Sequence, residues 1–217
     1  MRPFGVFGGM FDPIHYGHLR TAHELFELLD LEAIAFLPAG DPPHRARPLA
    51  DAATRLAMVR AAVEGDARFL VDDRELRRSG PSYTVLTLEE LRAERGAQPI
   101  ALIMGMDAFA GLNGWHRAQE LIGLAHMVVA VRPGSQPPHT GLAAALLRER
   151  RCDDPRRLSA APAGLVFVNT GTQLDVSSSA VRDVVAAGRD PRYLMPEAVR
   201  RIIVARGSYA RPGETGE

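Results

Sequence analysis

The sequence predicts an α/β protein with a doubly wound parallel sheet and a small helical segment near its C-terminal end. Short strand-like runs alternate with helical patterns over most of the 217 residues. The strand-like runs are continuously apolar, which is typical of strands covered on both faces. Alternation of this kind favours right-handed crossovers within one parallel sheet. After Leu174 the alternation stops and two helices remain.

Each element follows from its local pattern. Apolar runs predict strands at Phe4–Phe7, Ala33–Leu37, Arg68–Val71, Ile100–Met104, Met127–Val131 and Leu165–Val168. Helical spacing predicts helices at Gly17–Leu29, Ala52–Glu64, Thr84–Glu94, Arg117–Leu124, Gly141–Arg150, Ser178–Ala187 and Pro196–Arg206. We expect a single domain over residues 1–207, with its C-terminal helical part over about 175–207, and a flexible tail over 208–217.

The composition indicates a globular protein without a broad affinity for polyanions. The chain is 46% hydrophobic and 24% charged, and 26 basic residues balance 26 acidic ones. Zero net charge gives no sign of general binding to nucleic acid or to anionic membranes, so we expect neither partner. The sequence contains no lysine. Any long basic side chain that contacts a phosphate is therefore an arginine.

Three further features bear on compartment and assembly. Cys152 is the only cysteine, so no intrachain disulfide forms, and an incidental residue explains it better than a catalytic thiol. The chain enters a strand at once without a signal peptide, and no apolar run reaches the ~20 residues of a membrane span. We therefore expect a cytoplasmic protein. Apolar helix faces serve cores and interfaces alike, so a homo-oligomer stays open.

The most informative segment runs from Gly8 to His18 and reads Gly-Gly-Met-Phe-Asp-Pro-Ile-His-Tyr-Gly-His. It joins a predicted strand to a predicted helix. Glycines let backbone N–H groups approach an anion, and a helix N-terminus adds unpaired donors. His15 and His18 can donate hydrogen bonds to phosphate oxygens. A plain tight turn, or a metal site at the two histidines, is the alternative, although no third ligand stands at a metal-binding spacing nearby.

The same segment resembles the signature of the nucleotidyltransferase superfamily. It matches Gly-x-Phe-x-Pro-x-His-x-x-His at Gly9, Phe11, Pro13, His15 and His18. Neither a P-loop nor a three-glycine dinucleotide fingerprint is present. The resemblance implies a Rossmann-like fold and a nucleotide bound at this turn. The motif alone identifies the superfamily and not the acceptor.

Two further motifs narrow the resemblance to bacterial nicotinate mononucleotide adenylyltransferases. Pro38–Arg45 is similar to that family's Pro-x-x-x-Pro-Pro-His-Lys loop, with Arg45 in place of the usual lysine. The resemblance implies that His44 and Arg45 lie near the triphosphate or the acceptor phosphate. Ser82-Tyr83-Thr84 opens a predicted helix. Its hydroxyls can serve simply as a helix cap, whereas the resemblance implies that Thr84 and nearby N–H groups receive the nicotinate carboxylate.

The segment from Leu102 to Trp115 resembles the family's Gly-x-Asp-x-x-x-x-Leu-x-x-Trp, which it matches at Gly105, Asp107, Leu112 and Trp115. Asp107 suits a ribose hydroxyl or a metal-bound water, and the alternative is the N-cap of a short helix. The resemblance implies that Trp115 stacks on the nicotinate ring. As the only tryptophan, Trp115 can equally belong to the core. His116 stands where some members carry a second aromatic residue.

Asp175–Arg182 resembles a serine-rich motif, Ile-Ser-Ser-Thr-x-Ile-Arg, that meets ATP phosphates in the family and its relatives. A serine-rich helix cap is the alternative. Arg182 lies one turn into the helix, where it can pair with phosphates bidentately. Arg132 resembles the arginine of the family's Arg-Pro, and the resemblance implies that it contacts the nucleotide.

The resemblance implies adenylyl transfer from ATP to nicotinate mononucleotide, which yields deamido-NAD and pyrophosphate, with Mg²⁺ held mainly by phosphates and water. The catalytic residues it implies are His15, His18 and Arg182. The ATP-binding residues it implies are Gly8, Gly9, Met10, Phe11, His15, His18, Gly105, Asp107, Arg132, Ser177, Ser178 and Arg182. The substrate-binding residues it implies are His44, Arg45, Ser82, Tyr83, Thr84, Trp115 and His116.

Other functions stay open at this point. A related enzyme with nicotinamide mononucleotide, phosphopantetheine or a cytidylyltransferase substrate as its acceptor keeps the same fold and chemistry. A nucleotide-binding regulator without catalysis is a different class. The presence of His15, His18 and Arg182 argues against that regulator.

Overall fold

A computed structural model describes residues 1–40, 48–131, 134–172 and 174–210. Seven strands of the described residues form one sheet in the order β3-β2-β1-β4-β5-β7-β6, and every neighbouring pair is parallel. The strands are β1 (Phe4–Gly9), β2 (Ile34–Pro38), β3 (Phe69–Val71), β4 (Ile100–Gly105), β5 (His126–Ala130), β6 (Arg151–Cys152) and β7 (Val166–Asn169). The predicted fold class, a Rossmann-like doubly wound parallel sheet, is confirmed.

The helices lie between the strands and after the last one. They are α1 (Tyr16–Leu28), α2 (Ala52–Val63), α3 (Arg74–Arg77), α4 (Thr84–Arg95), α5 (Met106–Ala110), α6 (Ala118–Leu124), α7 (Gly141–Arg150), α8 (Ser178–Ala186) and α9 (Glu197–Arg206). Short 3₁₀ helices occupy Gly111–Gly114 and Pro155–Ser159. Apart from α3, β6 and the 3₁₀ turns, these elements follow the predicted order, with α5 as the short helix expected only in the alternative explanation of Asp107.

Two elements have no counterpart in the sequence prediction because each lacks a local pattern. Strand β6 contains two residues and no apolar run, and its assignment rests on pairing with β7 at Val166 and Phe167. Cys152 lies in this strand, buried, and its thiol donates to the carbonyl of Asp154. Helix α3 is a single polar turn without buried residues.

Two apolar layers cover the faces of the sheet. One layer packs α1, α2, α8 and α9 against residues such as Phe7 and Phe36. The other packs α4, α5, α6 and α7 against residues such as Val6 and Leu37. Neighbouring strand residues therefore enter different layers, which explains the continuous apolar runs in the sequence.

The sheet order places β1 beside both β2 and β4, so the chain leaves β1 towards one edge and leaves β4 towards the other. Ligands of doubly wound sheets bind outside the carboxyl ends of the strands at such a switch point. Within the described residues, no helix is long and apolar enough to cross a membrane.

Candidate active site

A cavity of about 670 Å³ opens at the carboxyl ends of β1 and β4. Its lining combines these strand ends with the first turns of α1, α4, α5 and α8. Fifteen of the predicted site residues line it: Gly8, Gly9, Met10, Phe11, His18, Ser82, Tyr83, Thr84, Gly105, Asp107, Trp115, His116, Ser177, Ser178 and Arg182. The structure thus brings into one cavity motifs that are separated by up to about 170 residues of sequence.

The remaining four predicted residues differ in what can be said of them. His44, Arg45 and Arg132 lie outside the described residues. His15 is completely buried and does not line the cavity. A direct contact between His15 and a phosphate stays a prediction.

The two histidines occupy different positions at the start of α1. His15 is the N-cap residue, and its Nδ1 accepts a hydrogen bond from the backbone N–H of Gly17 at 3.1 Å. The backbone N–H of His15 donates to Nδ1 of His18 at 3.3 Å. The rings stack with centroids 3.8 Å apart. A Cβ added at Gly17 would lie 2.9 Å from the His15 ring, so this close approach requires glycine.

Helix α8 joins the first motif through its own first turn. Ser177 is the N-cap residue and accepts from the N–H of Ala180, so the cap predicted for the serine-rich segment is confirmed. The hydroxyl of Ser178 donates to the carbonyl of Pro13 at 2.9 Å. The guanidinium of Arg182 donates to the carbonyl of Asp12 at 2.8 Å. These bonds hold the start of α8 against the segment that leads into α1.

The opposite side of the cavity is formed by the start of α4 and the residues after β4. The ring of Tyr83 stacks on His116 with centroids 4.3 Å apart. Trp115 is half-buried against the second apolar layer and also lines the cavity. It therefore belongs to the core and to the site at once. The exposed Asp107 lies in the first turn of α5.

Two helix caps predicted as alternatives are wrong. The N-cap residue of α4 is Tyr83, and no side chain caps this helix end. The hydroxyl of Ser82 instead donates to the carbonyl of Glu75 at 3.4 Å, since the segment that contains α3 packs beside it. The N-cap residue of α5 is Gly105 and not Asp107.

Comparison with known proteins decides the family. A model of cytidylyltransferase-like proteins matches residues 6–184. A Halorhodospira halophila protein, named a probable nicotinate-nucleotide adenylyltransferase, is 45% identical over 212 residues, which is 98% of this chain and 97% of the relative. A Methylococcus capsulatus protein of the same name is 44% identical over 208 residues, which is 95% and 99% respectively. This chain belongs to the nicotinate-nucleotide adenylyltransferases, within the cytidylyltransferase-like family.

The resemblance inferred from the motifs is thereby confirmed at the level of family. A solved structure of a Plasmodium falciparum nicotinic acid mononucleotide adenylyltransferase, complexed with NaAD, is similar with a TM-score of 0.71. The match covers 96% of this chain and 98% of that chain at 14% sequence identity. Likeness at that identity shows that the two chains share a fold.

Beneath the first motif of this adenylyltransferase lie residues that sequence reasoning missed. Arg55 of α2 is 1% exposed, and its guanidinium donates to the carbonyl of Met10 at 2.9 Å. The carboxylate of Asp12 is 5% exposed and accepts from the hydroxyl of Tyr209 at 2.7 Å. The sequence does contain a signal for the burial of Arg55. This residue precedes the buried Met58 and Val59 by three and four residues, and it therefore lies on the apolar face of α2.

A second missed group lies behind the start of α4. The half-buried Glu75 lines the cavity and accepts from the hydroxyl of Thr87 at 2.8 Å. Burial raises the pKa of Glu75, and hydrogen bonds from Thr87 and from the backbone of Gly40 oppose that rise. Thr87 is 2% exposed. Glu75 therefore connects the end of β2 to the first turns of α4.

Within the described residues, no cluster of three or more histidine, cysteine, aspartate or glutamate side chains is arranged to hold a metal ion.

Proposed function

We propose that this protein transfers an adenylyl group from ATP to nicotinate mononucleotide, which gives nicotinate adenine dinucleotide and pyrophosphate in NAD biosynthesis. The observation that carries the proposal is the shared cavity. The residues matched to phosphate binding and those matched to the nicotinate acceptor line one space of about 670 Å³. Family membership supports the same reaction.

The cavity suits a pair of anionic substrates. The first turns of α1, α4 and α8 all contribute to its lining. A helix N-terminus carries unpaired N–H donors and a partial positive charge. Three helix N-termini around one cavity therefore favour the binding of several anionic groups at the same time. ATP carries a triphosphate, and nicotinate mononucleotide carries a phosphate and a carboxylate.

In the proposed reaction a phosphate oxygen of the acceptor attacks the α-phosphorus of ATP. A new P–O bond forms as the bond to the bridging oxygen breaks, and pyrophosphate leaves with that electron pair. The attacking phosphate is already an anion, so the step needs no general base. Catalysis is then a matter of positioning and charge neutralisation. His18 faces the α-phosphoryl group, and Arg182 and the start of α8 bind the other phosphates.

The acceptor lies on the opposite side of the cavity in this proposal. The pyridine ring of nicotinate stacks on Trp115, and its carboxylate accepts hydrogen bonds at Thr84, the first residue of α4. Three observations support this arrangement: Thr84 begins a twelve-residue helix, Trp115 is half-buried with part of its surface on the cavity, and both line the same space.

Bound together with ATP, Mg²⁺ would supply neutralisation of phosphate charge, and phosphate oxygens and water would be its main ligands. The carboxylate of Asp107 is exposed on the cavity lining at the end of β4. This position suits contact with a water of the metal or with a ribose hydroxyl.

The direct test measures pyrophosphate release from MgATP with one acceptor at a time. Nicotinate mononucleotide, nicotinamide mononucleotide and phosphopantetheine are offered separately. We expect rapid release with nicotinate mononucleotide. Release only with another acceptor would show that the protein transfers an adenylyl group to that acceptor and not to nicotinate mononucleotide. Binding of ATP without release in any of the three mixtures would make the protein a nucleotide-binding regulator.

A glycine substitution tests whether ATP approaches the backbone at the end of β1. A Cβ added at Gly8 meets no protein atom within 4 Å, although the residue lines the cavity. Gly8→Ala is therefore expected to preserve the fold and to weaken ATP binding by occupying space that the phosphates need. Gly123→Ala is the matched control, since its Cβ is equally free and lies in α6 away from the cavity lining. Equal ATP affinity in both variants would argue against this placement of ATP.

A further inference from the structure

The chain after α9 turns back towards the first motif. Helix α9 ends at Arg206 with Gly207 as its C-cap residue, and the N–H of Ser208 donates to the carbonyl of Ile203 at 3.0 Å. Tyr209 then adopts a φ of 69°, which is uncommon for a residue with a Cβ and costs about 1 kcal/mol or more. Its ring packs against the first apolar layer, and its hydroxyl reaches Oδ1 of Asp12 at 2.7 Å. Residues expected in a flexible tail thus make specific contacts.

Asp12 connects this C-terminal segment to two parts of the cavity lining. Its carboxylate accepts from the N–H of Leu49 at 2.8 Å and from the N–H of Ala50 at 3.1 Å. Its backbone carbonyl accepts from Arg182 at 2.8 Å. Asp12, Leu49 and Arg182 all line the cavity. The side chain and the carbonyl of one residue therefore anchor three segments that are distant in sequence.

The charges around Tyr209 maintain its hydroxyl as a donor. Burial, together with the neighbouring Asp12 carboxylate, raises the pKa of Tyr209 well above its usual range. Arg182 and Arg55 act in the opposite direction, with smaller effect. The phenol is therefore neutral at physiological pH and donates to a carboxylate, a hydrogen bond stronger than one between neutral groups.

We propose that Tyr209 is a positioning residue for ATP, which fixes the Gly8–Pro13 segment through the carboxylate of Asp12. This inference rests on the proposed function, which places the ATP phosphates at that segment. Gly8, Gly9, Met10 and Phe11 line the cavity immediately before Asp12. Their N–H groups bind a phosphate well only if the backbone is already in place before the ligand arrives, because ordering it on binding reduces affinity.

The contacts predict an effect on ATP that exceeds the effect on the acceptor. Tyr209 reaches the cavity through Asp12. Asp12 contacts the residues just before α2, and its carbonyl accepts from Arg182 of α8. The proposed acceptor side is formed by Thr84 of α4 and by Trp115. Trp115 packs against the second apolar layer, as do Tyr83 and Val85 on either side of Thr84. The sheet separates that layer from the one against which Tyr209 packs.

The experiment compares Tyr209→Phe with wild type in the full-length chain. The dissociation constant of MgATP is measured by titration calorimetry without any acceptor, at a temperature where circular dichroism shows both proteins folded. We expect the substitution to weaken ATP binding roughly three- to tenfold, which is less than the full value of a hydrogen bond to a carboxylate because Tyr209 acts on ATP only through Asp12. Steady-state kinetics should then show a larger rise in KM for ATP than for the acceptor.

Two further variants distinguish positioning from simple stabilisation. Tyr193→Phe is the matched control, because this tyrosine is 84% exposed and does not line the ATP cavity. It should bind ATP like wild type. Asp12→Ala with and without Tyr209→Phe forms a double-mutant cycle, since alanine offers no acceptor to the Tyr209 hydroxyl. If Tyr209 acts through Asp12, its substitution should add little to the loss of ATP affinity already caused by Asp12→Ala.

The outcomes separate this inference from the proposed function. A Tyr209→Phe variant that melts earlier but binds ATP like wild type would overturn the positioning role and leave the proposed function intact. So would additive losses of ATP affinity in the cycle. Weaker ATP binding in Tyr209→Phe, in a protein that releases no pyrophosphate with any acceptor, would support the inference and reject the reaction. A wild-type protein that binds no ATP would overturn both.

Discussion

Replacement of Arg55 by methionine is expected to lower the free energy of unfolding by about 2 kcal/mol. Arg55 is attracted electrostatically by the Asp12 carboxylate. Removing one partner of a buried ion pair in direct contact costs about 3–5 kcal/mol, because the other charge stays buried, and an attraction without such contact is worth less. Asp12 would still accept hydrogen bonds from Leu49, Ala50 and Tyr209, which reduces that cost. Burial lowers the pKa of Arg55, so the native protein also carries a desolvation cost that methionine removes. The lost hydrogen bond to Met10 adds to the destabilisation.

Urea denaturation at pH 7 measures the change, with Arg60→Met as the matched control. Arg60 lies on the same helix, but its side chain is 60% exposed and its ion pair with Asp73 is at the surface. A surface ion pair contributes about 0–1 kcal/mol, so the control should change little. A free energy of unfolding for Arg55→Met within about 0.5 kcal/mol of wild type, or an equal loss in both variants, would show that the buried guanidinium does not stabilise the fold.

Three other predictions concern the two sides of the cavity. His18→Ala should lower kcat at least about a hundredfold and leave the fold intact, because His18 lines the cavity in which the proposed reaction places the phosphates; pyrophosphate release measures this. Trp115→Ala should raise the KM for nicotinate mononucleotide roughly tenfold and that for ATP much less. Glu75→Gln should gain stability relative to wild type as the pH rises above about 4.5, as measured by urea denaturation across that pH range. The pKa of Glu75 is raised in the folded protein, so wild type loses stability as the pH passes from the unfolded to the folded pKa, whereas glutamine does not titrate.

Each of these predictions has a clear contrary result. Turnover near that of wild type in His18→Ala would remove the histidine from the mechanism. Equal rises in both KM values for Trp115→Ala would indicate a residue that acts through the core. A stability difference between Glu75→Gln and wild type that stays constant with pH would show that burial does not perturb this carboxyl.

The sheet and most of the residues that line the cavity could be predicted from the sequence, because both depend on local signals. Apolar runs and helical spacings are local, and so are the motifs that stand at strand ends. The roles of the two histidines depend on packing instead. His15 and His18 are three residues apart on one helix face, and the stacking that buries His15 beneath His18 is a tertiary arrangement. The local pattern therefore placed both at the site without showing which one faces the cavity.

Long-range contacts explain the remaining differences. A hydroxyl before a helix normally predicts a cap, but Ser82 bonds to the carbonyl of Glu75, seven residues away. Tyr209 and Asp12 are separated by 197 residues, and no periodicity or spacing connects them. Arg55 shows the intermediate case, since its place on an apolar face indicated burial without identifying its partner.

The pairing of β1 with β4 has a thermodynamic consequence. These strands are distant in sequence but adjacent in the sheet, and the cavity opens at their ends. A ligand bound there contacts both halves of the chain, so it can remain bound only while the sheet is intact. Binding energy is then linked to global unfolding. ATP at about 100 times its dissociation constant should stabilise the fold by about 2.7 kcal/mol, which corresponds to a rise in Tm of roughly 5–10 °C for a chain of this size.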